Sequence, residues 1–128
     1  MTKKVLFDTD ILVDFFHNQK YAKELIAELV AKEWLYISIL SITELRAGFT
    51  PNQAKLFLPK LYKMAFTVNI SLEIAELAGK FRFEYGSKGK SLSTIDALIA
   101  ATAIIEDCQL VTRNKKDFPM RELKLYPL

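Results

Sequence analysis

The chain predicts a three-layer α/β/α sandwich around a central parallel sheet of four to five strands. Short apolar runs rich in β-branched and aromatic residues alternate with longer segments of helical spacing from end to end. The first strand-like run stops at a carboxylate, and several helical segments open on an acidic or hydroxyl residue. No repeat, low-complexity tract or linker interrupts this alternation, so residues 1–128 are expected to form a single domain.

The elements follow in order. Val5 to Phe7 reads as a short buried strand ending at Asp8, and Ile11 to Phe16 continues as helix with Asp10 placed to cap it. Tyr21 to Lys32 has helical spacing, with Ala22, Leu25, Ile26, Leu29 and Val30 on one face. Trp34 to Ile39 is the second strand and Ser41 to Ala47 a short helix stopped near Gly48 and Pro51. Asn52 to Met64 is a helix that Pro59 should bend or split. Phe66 to Ile70 is the third strand, Leu72 to Tyr85 a helix, and Gly86 to Ser91 a loop. Thr94 to Glu106 is rich in Ala and Ile nearly all round, which predicts burial on several sides. Gln109 to Thr112 and Leu123 to Tyr126 complete the strands.

Composition bounds the function loosely. A hydrophobic share of 51% and a charged share of 26% are ordinary for a folded domain, and a net charge of +3 does not announce nucleic-acid binding. Placement says more: Lys88, Lys90, Arg113, Lys115 and Lys116 flank the two late acidic motifs, a rim suited to phosphodiester backbones. Cys108 is the only cysteine, so no intrachain disulfide forms and no oxidising compartment is required. The apolar run after Lys3 and Lys4 is cut short at Asp8, too early for a signal peptide, and no segment has the roughly 18 apolar residues of a membrane span. A cytoplasmic protein without membrane partners is expected.

Four carboxylates stand where a strand stops or a helix begins: Asp8, Glu44, Asp96 and Asp117. Each has a local explanation. Asp8 fits a strand-end turn, and Glu44, Asp96 and Asp117 each lie three residues after a capping type, Ser41, Ser93 and Asn114. Capping does not explain why all four fall at one edge of the predicted sheet. In an open α/β sheet that edge forms a single crevice, where gathered carboxylates repel one another unless a cation neutralises them. Magnesium and manganese take such oxygen ligands and activate phosphoryl centres without histidine. His17 is the only histidine, which excludes proton shuttling between a histidine pair.

Two weaker motifs fail. Gly86-Ser87-Lys88-Gly89-Lys90-Ser91 ends like a phosphate-binding P-loop, but Glu84 stands where its first glycine should be and the segment follows a helix. Asp8-Thr9-Asp10 resembles the nucleophile motif of haloacid-dehalogenase-type phosphatases, whose Gly-Thr is replaced here by Ile11-Leu12. A receiver domain would want an aspartate at the end of the third strand, where Asn69 and Ile70 stand.

Taken in order, Phe7-Asp8-Thr9-Asp10-Ile11-Leu12, Ile39-Leu40-Ser41-Ile42-Thr43-Glu44-Leu45, Asp96-Ala97-Leu98-Ile99-Ala100-Ala101-Thr102-Ala103 and Thr112-Arg113-Asn114-Lys115-Lys116-Asp117-Phe118 resemble a PIN-domain protein. The chain is most similar to a VapC-type toxin of a type II toxin–antitoxin pair, over nearly its whole length. The resemblance implies a Mg2+- or Mn2+-dependent endoribonuclease with Asp8, Glu44, Asp96 and Asp117 as its metal-binding and catalytic set. Thr112 and Asn114 would hydrogen-bond a carboxylate or the substrate phosphate, and Thr9 and Asp10 would support the site. Asp10 departs from the Asn or Ser more usual there, so it is either an added ligand or a helix cap. The resemblance also implies RNA as substrate, a cognate antitoxin that blocks the cleft, and a homodimer. The competing readings are a non-catalytic RNA- or protein-binding module of the same fold and, third, a haloacid-dehalogenase-type phosphatase.

Overall fold

Residues 3–128 are described by the structure, a computed structural model. Strands β1 (Val5–Phe7), β2 (Leu35–Ser38), β3 (Phe66–Val68) and β4 (Gln109–Val111) form one sheet in the order β3-β2-β1-β4. All pairings are parallel, with Phe7 level with Ile37 on one side and Val111 on the other. Successive side chains point to opposite faces. Leu6 and Leu110 therefore pack into one layer, while Val5, Phe7, Leu35, Ile37 and Val111 pack into the other. Val5, Leu6 and Phe7 are all fully buried, the signature of a parallel sheet covered on both faces. Burying each of Leu6 and Phe7 contributes about 1.5–3 kcal/mol.

The helices divide accordingly. Helices α5 (Leu72–Ser87) and α6 (Thr94–Ile105) cover the Leu6 face through Ile74, Ala78 and Phe81 from the first and Ala97, Ile99, Ala100 and Ala103 from the second. The expected all-round burial of this late helix is observed: small alanines let it lie between the sheet and α5. Helices α1 (Thr9–Phe16), α2 (Lys20–Ala31) and α3 (Ile39–Gly48) cover the other face through Ile11, Leu12, Ile26, Leu29 and Leu45, and α4 (Pro51–Met64) adds Leu61. The predicted three-layer sandwich is the observed one.

Three boundaries differ from expectation. The segment from Leu123 to Tyr126 pairs with the sheet through a single bridge, Leu110 to Leu125, fixed by Leu110 N–H to Lys124 O and Tyr126 N–H to Leu110 O, both 2.8 Å. Pro127 follows and has no N–H to extend the ladder, so the sheet has four strands and a bridge rather than five strands. Pro59 does not split its helix: α4 runs unbroken. Pro59 and Lys55, whose carbonyl loses its helical donor, are both exposed, so water satisfies that carbonyl and the cost falls. The helix is also anchored at its start by a capping box, Gln53 N–H to Thr50 Oγ1 at 3.1 Å and Thr50 N–H to Gln53 Oε1 at 2.9 Å. Thr50→Ala is expected to cost about 1 kcal/mol in urea unfolding. Third, α3 begins at Ile39 rather than Ser41, because Ser38 is its cap, accepting from Leu40 N–H at 3.1 Å.

The topology locates the crevice. From β1 the chain steps outward through β2 to β3, then returns to the opposite side of β1 as β4. The strand order reverses between β1 and β4, and ligands of open α/β sheets bind beyond the carboxyl ends at such a reversal. Asp8 and Thr112 are the first residues past those two strands. Among the described residues, no helix is long and apolar enough to cross a membrane.

Candidate metal centre at the carboxyl edge of the sheet

Asp8 leaves β1 with its backbone still in the ladder, Asp8 N–H donating to Val111 O at 3.0 Å. Helix α1 starts at the next residue, without an intervening loop, so Asp8 rather than Asp10 is its cap. Its two carboxylate oxygens are divided: Oδ1 accepts from Thr9 N–H at 2.9 Å, and Oδ2 accepts from the Thr112 hydroxyl at 2.8 Å. Thr112 Oγ1 in turn accepts from Asn114 N–H at 3.0 Å. The Thr112–Asp8 bond joins the residues that follow β1 and β4, across the strand reversal. Asp8 is 9% exposed, and burial pushes its carboxyl up to about 6. The Thr112 and Thr9 hydrogen bonds oppose that rise, while the charges of Asp10 and Asp96 add to it.

Asp10 lies in the first turn of α1 and turns toward the segment after β4. Its Oδ2 accepts from Arg113 N–H and from Asn114 Nδ2, each at 3.1 Å. Its Oδ1 is buried with no hydrogen-bond partner. The carboxyl is raised, chiefly by burial, against the pull of the Arg113 N–H and guanidinium. One turn on, Asp14 takes Arg113 Nε at 2.9 Å and also accepts from the Tyr21 hydroxyl. The sequence reading missed Asp14 and Tyr21, although the i, i+4 spacing of Asp10 and Asp14 on one helix face was a usable signal.

Glu44 comes from α3. The capping box expected with Ser41 is absent, since Ser41 lies inside the helix and is fully buried. Thr9 joins the two instead: its hydroxyl is 2.5 Å from Glu44 Oε1 and 2.9 Å from Ser41 Oγ. With a single proton to give, Thr9 donates to the carboxylate and accepts from Ser41.

Asp96 sits in the first turn of α6. The Ser93 side chain caps this helix by accepting from Asp96 N–H at 3.0 Å. Burial raises the Asp96 carboxyl; the Ser93 hydroxyl opposes the rise, and the charges of Asp117, Glu44 and Asp10 reinforce it. Asp96 thus lies within electrostatic reach of carboxylates from three other segments. Asp117 ends a 3-10 turn over Lys115–Asp117 that Asn114 does not cap through its side chain, contrary to the local expectation. Asp96 and Asp117 line one small polar hollow of about 50 Å³, with Lys90 and Lys116 on its walls.

All eight sequence-predicted residues thus fall around one crevice. Among the described residues, no three acidic, histidine or cysteine side chains yet stand close enough to hold a single ion. The donor set is oxygen throughout, with raised carboxyls and one buried oxygen lacking a partner, and it fits a hard divalent cation. His17 is exposed and contributes no bond here.

A parallel three-layer domain with acidic groups gathered where its strand order reverses has the architecture of a nuclease domain. The chain belongs to the PIN-domain family, the PIN domain matching residues 5–122. It is similar to Ribonuclease VapC19 of Mycobacterium tuberculosis, 34% identical over 116 residues that cover 90% of this chain and 92% of that protein. Among solved structures, VapBC2 from Rickettsia felis bound to a DNA fragment from its promoter matches with a TM-score of 0.84 and 25% identity, over 95% of this chain and 96% of that one. A toxin–antitoxin complex from Klebsiella pneumoniae matches with a TM-score of 0.78 and 30% identity, over 98% and 100%.

Proposed function

We propose that residues 1–128 act as one nuclease domain, a divalent-metal-dependent endoribonuclease and the toxin of a toxin–antitoxin pair. RNA is its substrate, a cognate antitoxin its protein partner, a second copy of the chain its dimer mate, and the cytoplasm its compartment. The observation that carries the reading is the buried, unpartnered Oδ1 of Asp10 in a crevice whose carboxyls Asp8, Asp10 and Asp96 are all held above their ordinary range. The names of similar proteins support the chemistry, since VapC19 is a ribonuclease and the Klebsiella structure is a toxin–antitoxin complex. Leu72 and Phe83, exposed on α5, support a dimer mate.

Asp8, Glu44, Asp96 and Asp117 would hold Mg2+ or Mn2+, with Asp10 beside them. Such an ion supplies Lewis-acid stabilisation of the charge that develops on the phosphoryl oxygens and the leaving oxygen. The chain supplies the rest. Thr112 fixes the rotamer of Asp8, and Thr9 fixes Glu44 through Oε1, leaving Oε2 to orient the attacking water and take its proton. Lys90, Lys116 and Arg113 on the rim meet flanking phosphates. The water oxygen bonds to phosphorus as the bond to the leaving ribose oxygen breaks; the water's proton passes to Glu44 and the leaving oxygen takes a proton from solvent.

The test is incubation of the purified protein with total RNA, with and without Mg2+ or Mn2+. Discrete fragments that vanish with chelator are expected. Fragments that persist in chelator would refute the metal, and RNA retained without cleavage under any metal would make the protein a binding module. Thr112→Val, which keeps shape but drops the bond to Asp8, is expected to cut RNA roughly 10- to 100-fold more slowly while staying folded. Cleavage at the wild-type rate would remove Thr112 from the site.

A further inference from the structure

A second depression opens beside the acidic crevice, between α1, α3 and α4, with a volume of about 180 Å³. Val13 and Phe16 of α1, Phe49, and Phe57 of α4 make its apolar wall. The rings are already fixed against one another: Phe16 stacks on Phe57 with centroids 4.9 Å apart, and Phe49 meets both edge-on. His17, Glu44 and Gln53 stand at its polar side. Glu44 therefore borders two spaces, this one and the crevice it reaches through Thr9.

We infer that this depression is a base subsite, taking one unstacked pyrimidine of the RNA strand whose phosphate lies at the acidic crevice. The inference rests on the ribonuclease reading and adds its substrate preference. Size argues for one ring, since a dry cavity of about 150 Å³ accommodates benzene. Chemistry argues for a base, because aromatic walls stack bases and single-stranded RNA is read by bases splayed onto such walls. Gln53 argues for the edge that is read. Its Oε1 is committed to Thr50 N–H in the capping box, so its amide NH2 is the part left to donate, and pyrimidines present carbonyl acceptors. Continuity argues for the strand: a nucleotide seated here has its backbone passing Glu44.

Gly48, the last residue of α3, borders the depression, and a Cβ added there would meet nothing within 4 Å. Gly48→Leu thus adds apolar bulk at the border of this space with no clash at its Cβ. The experiment uses an RNA oligonucleotide that the wild type cuts, with each nucleotide near the cut replaced in turn by a purine or an abasic ribose. The wild type is expected to lose about 10- to 100-fold in kcat/KM at one position next to the cut, with pyrimidine preferred. In Gly48→Leu that penalty should collapse to about one, because the subsite is filled whatever the substrate carries. Gln53→Glu keeps an acceptor for Thr50 N–H and removes the donor, so it should shrink the pyrimidine preference with no loss of thermal stability. An unchanged position-specific penalty in Gly48→Leu overturns the inference, as does an equal loss on every substrate. Loss of a co-purifying protein partner with RNA preference intact would instead give the pocket to a protein side chain and overturn it too. A wild type that cuts no RNA refutes the ribonuclease reading itself, an outcome separate from all of these.

Discussion

Asp96→Asn is expected to lower RNA cleavage by at least about 10²-fold while the protein stays folded. In the proposed site Asp96 is a metal ligand, so its loss would remove transition-state stabilisation of several kcal/mol, and about 1.4 kcal/mol is tenfold in rate. Asp96 is chosen because the charges of Asp8, Asp10, Glu44 and Asp117 all reach it. Two effects on stability oppose each other. A carboxylate in the first turn of α6 gains from the helix dipole, about 0.3–1 kcal/mol at an exposed site. Burial and the neighbouring charges work against it, and the raised carboxyl shows that the environment as a whole disfavours the charge. The neutral amide should therefore leave the melting temperature of the metal-free protein unchanged or higher. Glu24→Gln, on the exposed face of α2 where Glu24 pairs with Lys20 at 3.9 Å, serves as control and should alter neither quantity. Wild-type cleavage by Asp96→Asn would remove it from the site, and an unfolded variant would show that α6 depends on its charge.

The crevice was legible in the sequence because β1 to β4 are short and end abruptly. A three-residue apolar run followed by Asp8 leaves little choice about where that carboxylate goes once the sheet is parallel. The roles within the crevice were not legible, because each depends on a contact made far along the chain. Ser41 and Ser38 are equally good caps locally, and the choice of Ser38 frees Ser41 for Thr9, 32 residues away. Asp10 looks like a cap from its neighbours alone. Its partners Arg113 and Asn114 lie 103 and 104 residues distant, and α1 starts two residues earlier than expected because β1 passes into it directly. That Pro59 leaves its helix unsplit was beyond local reading for a related reason: the cost of a lost helical bond depends on whether water reaches the freed carbonyl, which tertiary structure decides. The aromatic depression was invisible because Phe16, Phe49 and Phe57 are scattered over three segments and read individually as core.

The second large effect is on stability, and its sign follows from Asp8. Its carboxyl titrates at about 6 in the folded protein against 3.8 when unfolded. Between those values the folded state holds the extra proton, so stability falls as pH rises through this window. The span corresponds to about 3 kcal/mol, at roughly 1.4 kcal/mol per unit, and Asp10 and Asp96 push the same way. The metal-free protein is thus destabilised by its own site near neutral pH, and a cation that neutralises the crevice should restore what was lost. Other carboxylates, such as Asp14 in its pair with Arg113, add acid sensitivity of their own, so the difference between wild type and Asp8→Asn is the quantity to follow. An asparagine at position 8 also faces Thr9 N–H and Thr112 with one donor too many, a cost that does not change with pH. In urea unfolding with chelator, Asp8→Asn should gain on the wild type by about 2.5 kcal/mol between pH 4 and pH 7, the part of the span above pH 4. Mn2+ at about 100 times its Kd should then stabilise the wild type at pH 7 by about 2.7 kcal/mol, and less at pH 5, where protons compete for the same oxygens. A difference between the two proteins that stays constant with pH would show that Asp8 carries an ordinary, unstrained carboxylate. That result would take the electrostatic case for a metal at this crevice with it.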